Sequence, residues 1–135
     1  MTSKIIYEGN LRTTLTHLYS GATITNDAPL DNHGLAQAFS PTDMVATALG
    51  SCIITTMGIK TRDMNIDLTG TELTVTKVMG SEPRRIAEIH ITIQFPDNHF
   101  TDKEKTIMEN IARTCPVAKS LHPDLKQELI FVWNR

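Results

Sequence analysis

The stretch Ser40-Pro41-Thr42-Asp43-Met44-Val45-Ala46-Thr47-Ala48-Leu49-Gly50-Ser51-Cys52, continuing through Ile53, Ile54, Met57 and Ile59 to Lys60, decides the fold. It opens as a helix opens. Ser40 can cap, Pro41 suits the first helical position, where its missing N–H costs nothing, and Asp43 can reach back to close a capping box. The helix is predicted to run to about residues 60–62. No charge stands between Asp43 and Lys60, and apolar side chains recur on nearly every face, the pattern of a helix buried all round. A domain of 135 residues buries only about two-thirds of its unfolded surface. Covering such a helix therefore calls for a second subunit.

Strands flank this helix on both sides. Before it, residues 4–7, 11–18 and 22–25 are short, β-branched or aromatic runs, separated by Glu8-Gly9-Asn10 and Tyr19-Ser20-Gly21. They read as an antiparallel meander. Residues 26–39 carry Pro, Gly, Asn and Asp without periodicity and read as a loop long enough to be functional. After the helix, residues 68–78 and 86–95 form a hairpin about Gly80-Ser81-Glu82-Pro83. In its second strand Ile89, Ile91, Ile93 and Phe95 face one way, and Glu88, His90, Thr92 and Gln94 the other. Thr101-Asp102-Lys103-Glu104 opens a second, amphipathic helix through Ile107, Met108 and Ile111, which continues past a kink at Cys115-Pro116 to Leu121. Residues 129–133 supply a last strand. Segregated runs of strands and helices predict an α+β fold with antiparallel sheet. With no repeat or linker, residues 1–135 are expected to form one domain.

Composition excludes several classes. The chain is 40% hydrophobic and 21% charged with a formal net charge of −2, so neither a nucleic acid nor a membrane surface is an expected partner. No run approaches the roughly 18 uncharged apolar residues of a membrane span. The start, Met1-Thr2-Ser3-Lys4-Ile5-Ile6, lacks a signal-peptide core, so the cytoplasm is the expected compartment. Two cysteines and five histidines cannot build a disulfide framework, and His33 and His122 do not stand at ligand spacing from either cysteine. No metal and no cofactor are expected.

The cysteines carry the remaining question. Cys52 lies three turns into the apolar helix, where a small apolar core residue and a reactive thiol are both compatible with its position. Cys115, in Thr114-Cys115-Pro116-Val117, stands at a helix restart. Unpaired backbone N–H groups there can stabilise a thiolate, or the sulfur can serve as a passive cap.

The segment from Ser40-Pro41 to Cys52, followed by Cys115-Pro116-Val117 across a hairpin and a charged helix, resembles the two signatures of the OsmC/Ohr family, in its OsmC-like branch. The strand order agrees, so the resemblance spans the chain. It implies an OsmC-like fold, with antiparallel sheets wrapped around buried central helices in an intertwined homodimer. It further implies a thiol peroxidase in which Cys52 attacks a hydroperoxide and Cys115 resolves the sulfenic acid to a disulfide, with an external dithiol as reductant. An apolar pocket would favour an organic hydroperoxide.

The peroxidases of this family also use an arginine and a glutamate, the latter directly after the helix-opening proline. Here that position is Thr42. Asp43, one residue later, is either a cap or the catalytic carboxylate. Arg12 is the candidate for the cation that lowers the thiol pKa. The Thr42 departure leaves a competing expectation, a non-catalytic homodimer that holds a small hydrophobic ligand in the same cleft with Cys52 only a wall residue.

Overall fold

Hydrogen-bonded β1 (Ser3–Gly9), β2 (Arg12–His17) and β3 (Thr23–Asp27) form the predicted antiparallel meander at the start of the chain, in the order β1-β2-β3. The computed structural model describes residues 1–96 and 99–133, and the chain divides into two compact units, Met1–Val45 and Ala46–Arg135. In the first unit, β1 turns into β2 through Asn10 and Leu11, both at positive φ (53° and 63°). Such a two-residue connection matches the twist of a hairpin. Ile5, Leu15 and Ile24 stand in register across the three strands, and Ile5 and Ile24 remain exposed (62% and 51%). The strand β3 runs two residues beyond its expected end, because Asn26 and Asp27 pair with Thr13 and Arg12. The loop that follows contains a 3-10 turn at Leu30–Asn32 and is tied back by Asp27 N–H to Phe39 O (3.1 Å) and Ala28 N–H to Leu11 O (3.0 Å).

The long helix α1 (Pro41–Thr61) starts and ends where its sequence predicts, and within a single chain one stripe of it is buried. Ala46, Leu49, Gly50, Ile53 and Met57 form one buried stripe, while Val45 and Ile59 stay exposed. One sheet face can cover only one stripe of a helix. Together with the turn after it, Pro41–Met64 is also long and apolar enough to cross a membrane by length and mean hydropathy (1.3), which corrects the expectation that no such segment exists. In the second unit, its stripe is core.

That core is built on β4 (Glu72–Gly80), β5 (Arg85–Gln94) and β6 (Lys126–Val132), with α2 (Asp102–Thr114) and α3 (Pro116–Ser120) between β5 and β6. The alternation in β5 is observed as read, with Ile89, Ile91, Ile93 and Phe95 all sealed from solvent. They meet the α1 stripe together with Met108 and Ala112 of α2. Each such side chain contributes about 1.5–3 kcal/mol by burial. Gly50 permits the close approach: a Cβ there would stand 3.2 Å from Val75 Cγ2. The sheet departs from the antiparallel expectation in one pairing. β4 and β5 are antiparallel, but β6 runs parallel to β5, Ile91 beside Leu129 and Ile93 beside Phe131. A parallel neighbour needs a crossover of a dozen or so residues, and α2 and α3 supply it. Phe95 stacks on Trp133 at 4.3 Å beyond the sheet's end.

Candidate functional site

Ser40 and Asp43 close the predicted capping box. The Ser40 hydroxyl accepts the Asp43 N–H at 3.0 Å, and Asp43 Oδ2 accepts the Ser40 N–H at 3.0 Å. Pro41 follows as the first helical residue. This box sets the start of α1 and hence the angular position of Cys52, three turns on. Cys52 is half-buried, at the edge of the core stripe, with Sγ 3.9 Å from the Thr56 hydroxyl one turn later.

Cys115 joins α2 to α3. Its extended backbone (φ −61°, ψ 158°) ends one helix and starts the next, and Pro116 takes the first position of α3. Its Sγ accepts the Ala118 N–H at 3.5 Å, so the sulfur caps α3 as the sequence predicts. The side chain is only 1% exposed. A second capping box, Thr101 with Glu104, fixes the other end of α2.

The two cysteines, sixty-three positions apart in sequence, are brought together as free thiols that act on each other. Burial pushes the Cys52 thiol up, but the Val117 N–H, the Cys115 thiol as donor, and the Thr56 hydroxyl together outweigh it and hold Cys52 below the ordinary thiol range. Burial pushes Cys115 up, against the Ala118 N–H, and the negative charge gathering on Cys52 pushes it further. Of the two sulfurs, Cys52 is thus the more readily deprotonated. The first turn of α3 serves both, because its amides have no partner inside so short a helix.

Arg12 is held in a separate cluster of the first unit. Its Nε donates to Asp27 Oδ1 at 2.7 Å and its Nη2 to Asp27 Oδ2 at 2.8 Å, a fork-to-fork pair. Nη2 also donates to Gln37 Oε1 at 2.8 Å, and the Gln37 N–H returns to Asp27 Oδ2 at 3.0 Å. Asp27 is buried at 4% exposure. The guanidinium hydrogen bonds hold its carboxyl below the usual range, against the opposing effect of burial. Asp27 and Gln37 lie within residues 26–39, whose composition reads as a loop. Extending β3 by two residues places Asp27 opposite Arg12, and that extension was the available signal.

Residues 33–129 match the family described as OsmC-like protein. A solved structure from Psychrobacter arcticus 273-4, named for osmotic stress induction and detoxification response, is similar at 53% identity over 97% of this chain and 95% of its own, with a TM-score of 0.93. An OsmC-like protein from Mycoplasma pneumoniae shares the fold at 17% identity (98% and 96% of the two chains, TM-score 0.80). So does an organic hydroperoxide resistance protein OsmC from Legionella pneumophila at 13% identity (96% and 94%, TM-score 0.71). Comparison with curated proteins returns no match. With the matched region spanning both the helix of Cys52 and the Cys115-Pro116-Val117 turn, this chain belongs to the OsmC-like protein family.

Proposed function

We propose that this protein is a thiol peroxidase that reduces organic hydroperoxides with Cys52 as attacking thiolate and Cys115 as resolving thiol. The observation that supports the reading is the placement of the only two cysteines of an OsmC-like chain, both free, Cys52 on α1 and Cys115 capping α3, with the thiol of the first pushed down and that of the second up. The Cys52 thiolate attacks the outer oxygen of R–O–O–H. The O–O bond breaks, the alkoxide leaves as alcohol after taking a proton, and Cys52 becomes a sulfenic acid. Cys115, giving up its proton, attacks that sulfur and displaces the hydroxyl as water, which forms the Cys52–Cys115 disulfide. An external dithiol of a reducing compartment, the cytoplasm in this reading, restores both thiols. The balance is one hydroperoxide and two thiols to one alcohol, one water and one disulfide.

Arg12, held by Asp27 and Gln37, is the cation of this reading, and Asp27 is the carboxylate that orients it. Asp43 keeps its place in the capping box. The reaction is tested by adding one equivalent of an organic hydroperoxide to the reduced protein. Two free thiols are expected to disappear, with a single disulfide found by peptide mapping between Cys52 and Cys115. An unchanged thiol count would leave the second reading, a non-catalytic homodimer that binds a small hydrophobic ligand, which Thr42 at the family's glutamate position favours.

The working unit of the proposal is a homodimer. Ile5, Tyr7 and Ile24 in the first unit, and Val45 and Ile59 on α1, are exposed apolar residues of a single chain that a second copy could cover. Sedimentation equilibrium is expected to give twice the 15.0 kDa chain mass at micromolar concentration. A monomer under those conditions would contradict the proposal.

A further inference from the structure

The face of the β4-β5-β6 sheet turned away from the core plays no part in the thiol chemistry, yet it gathers a mixed donor set. Glu88 and His90 lie two residues apart on that face of β5, and the parallel register sets Glu128 of β6 beside His90. The His90 Nε2 stands 3.5 Å from Glu88 Oε1 and 3.5 Å from Glu128 Oε2. The donor atoms of the three residues all lie within 4.8 Å of one another. The His90 side chain is 40% exposed, yet its Nε2, which stands between the two carboxylates, is itself closed to solvent and has no hydrogen-bond partner among the described residues.

We infer that Glu88, His90 and Glu128 form a binding site for a divalent transition metal of the zinc class. With its proton on Nδ1, the imidazole turns the Nε2 lone pair toward two carboxylate oxygens, and a cation between the three stabilises that arrangement. A metal ion collects lone pairs without the directional constraint of a hydrogen bond. The spacing fits as well. Zinc bonds of about 2.0–2.1 Å in tetrahedral geometry separate neighbouring donors by about 3.3–3.4 Å, close to the two 3.5 Å distances. One nitrogen and two carboxylates leave a fourth position for water. Lys126 is the competitor, its Nζ 3.6 Å from Glu88 Oε1 and 3.4 Å from Glu128 Oε2. A dication entering the site displaces that single charge. The expectation from sequence that no metal is bound rested on cysteine and histidine spacing alone, and glutamates brought together by a parallel pairing lie outside that test.

Titration of the reduced protein with Co²⁺ as a zinc surrogate tests the site. One Co²⁺ per chain is expected, with tetrahedral d–d absorption and without the sulfur-to-cobalt charge-transfer band that the cysteines would produce. Removing an outer-shell partner of a metal ligand already weakens binding about 10–100-fold. His90→Ala is therefore expected to weaken it by about 100-fold or more, and Glu128→Gln to weaken it in the same direction. Lys126→Met is expected to tighten binding, and hydroperoxide consumption by His90→Ala to stay at the wild-type rate. Two results would overturn the assignment. One is a charge-transfer band with undiminished binding in His90→Ala, which places the metal on the cysteines. The other is no stoichiometric Co²⁺ in either the wild type or Lys126→Met, which leaves the cluster a surface ion-pair group of Glu88, Glu128 and Lys126 beside His90.

Discussion

Cys52→Ser is expected to reduce hydroperoxide consumption by on the order of 10⁴-fold or more, since loss of the attacking group removes the covalent step itself. A hydroxyl in its place stays protonated at every accessible pH, and the Val117 N–H that favours the thiolate then has no anion to act on. The substitution is structurally mild. Cys52 is half-buried at the edge of the α1 stripe, and its side chain meets the Thr56 hydroxyl at 3.9 Å, so the fold is expected to survive.

Cys115→Ser separates the two steps. Serine is a good helix cap and can still accept the Ala118 N–H that Cys115 Sγ accepts now. The first attack therefore proceeds, one thiol is lost per hydroperoxide, and the Cys52 sulfenic acid accumulates. With excess oxidant it advances to the sulfinic acid and the enzyme stops after about one turnover. Mass spectrometry of the intact chain reads this as added oxygen on Cys52, where the wild type shows only loss of two hydrogens. The pH dependence follows from the same pairing. Burial opposes the thiolate and the surrounding donors favour it, with the donors prevailing. The alkylation rate of Cys52 should accordingly inflect at a lower pH than that of an ordinary exposed cysteine. In Cys115→Ala one donor is gone and the inflection is expected to move up. A wild-type inflection at or above the ordinary value would contradict the assignment of Cys52 as attacking thiol.

Local signals were legible wherever a few adjacent residues determine the outcome. Ser40 with Asp43, Thr101 with Glu104, and Cys115-Pro116 all cap where their spacing says, because a cap is settled within four residues. The Ile89-Ile91-Ile93-Phe95 alternation is equally local, and it marks the core face correctly. What escaped depends on partners distant in sequence. Whether β6 lies parallel or antiparallel to β5 is not encoded in residues 126–132 but in how the α2–α3 crossover returns the chain. Asp27 sits in Asn26-Asp27-Ala28-Pro29, whose composition reads as turn, and only the pairing with β2 keeps it in a strand. The apolar content of α1 predicts burial on every side with a second subunit, and within one chain the second unit covers one stripe. Cys52 and Cys115 are paired in the sequence only through the family resemblance. Their mutual influence on protonation required the fold.

Arg12→Met is expected to slow hydroperoxide reduction by about 10²–10³-fold, the usual loss when a preorganised donor to developing charge is removed. The guanidinium is always protonated, so the role proposed for it would rest on orientation, which its bonds to Asp27 fix. Asp27→Asn keeps the side-chain shape but leaves Nε and Nη2 facing a neutral amide instead of two carboxylate oxygens. A smaller loss, about tenfold, is expected there, with Gln37 still holding Nη2. The same clamp carries an acid signature. Asp27 has its carboxyl lowered in the folded chain, chiefly by the Arg12 hydrogen bond. A lowered carboxyl contributes stability that is fully present above its unfolded value of about 3.9 and is lost as pH falls through the folded value. The wild type should therefore lose stability below about pH 4, and Asp27→Asn should lose less over that window, as read by thermal melts. The two readouts separate function from scaffold. If Arg12→Met and Asp27→Asn lower the melting temperature yet leave the hydroperoxide rate untouched, the clamp is a tie between β2, β3 and the loop, and the cation of the thiol reaction must be sought elsewhere.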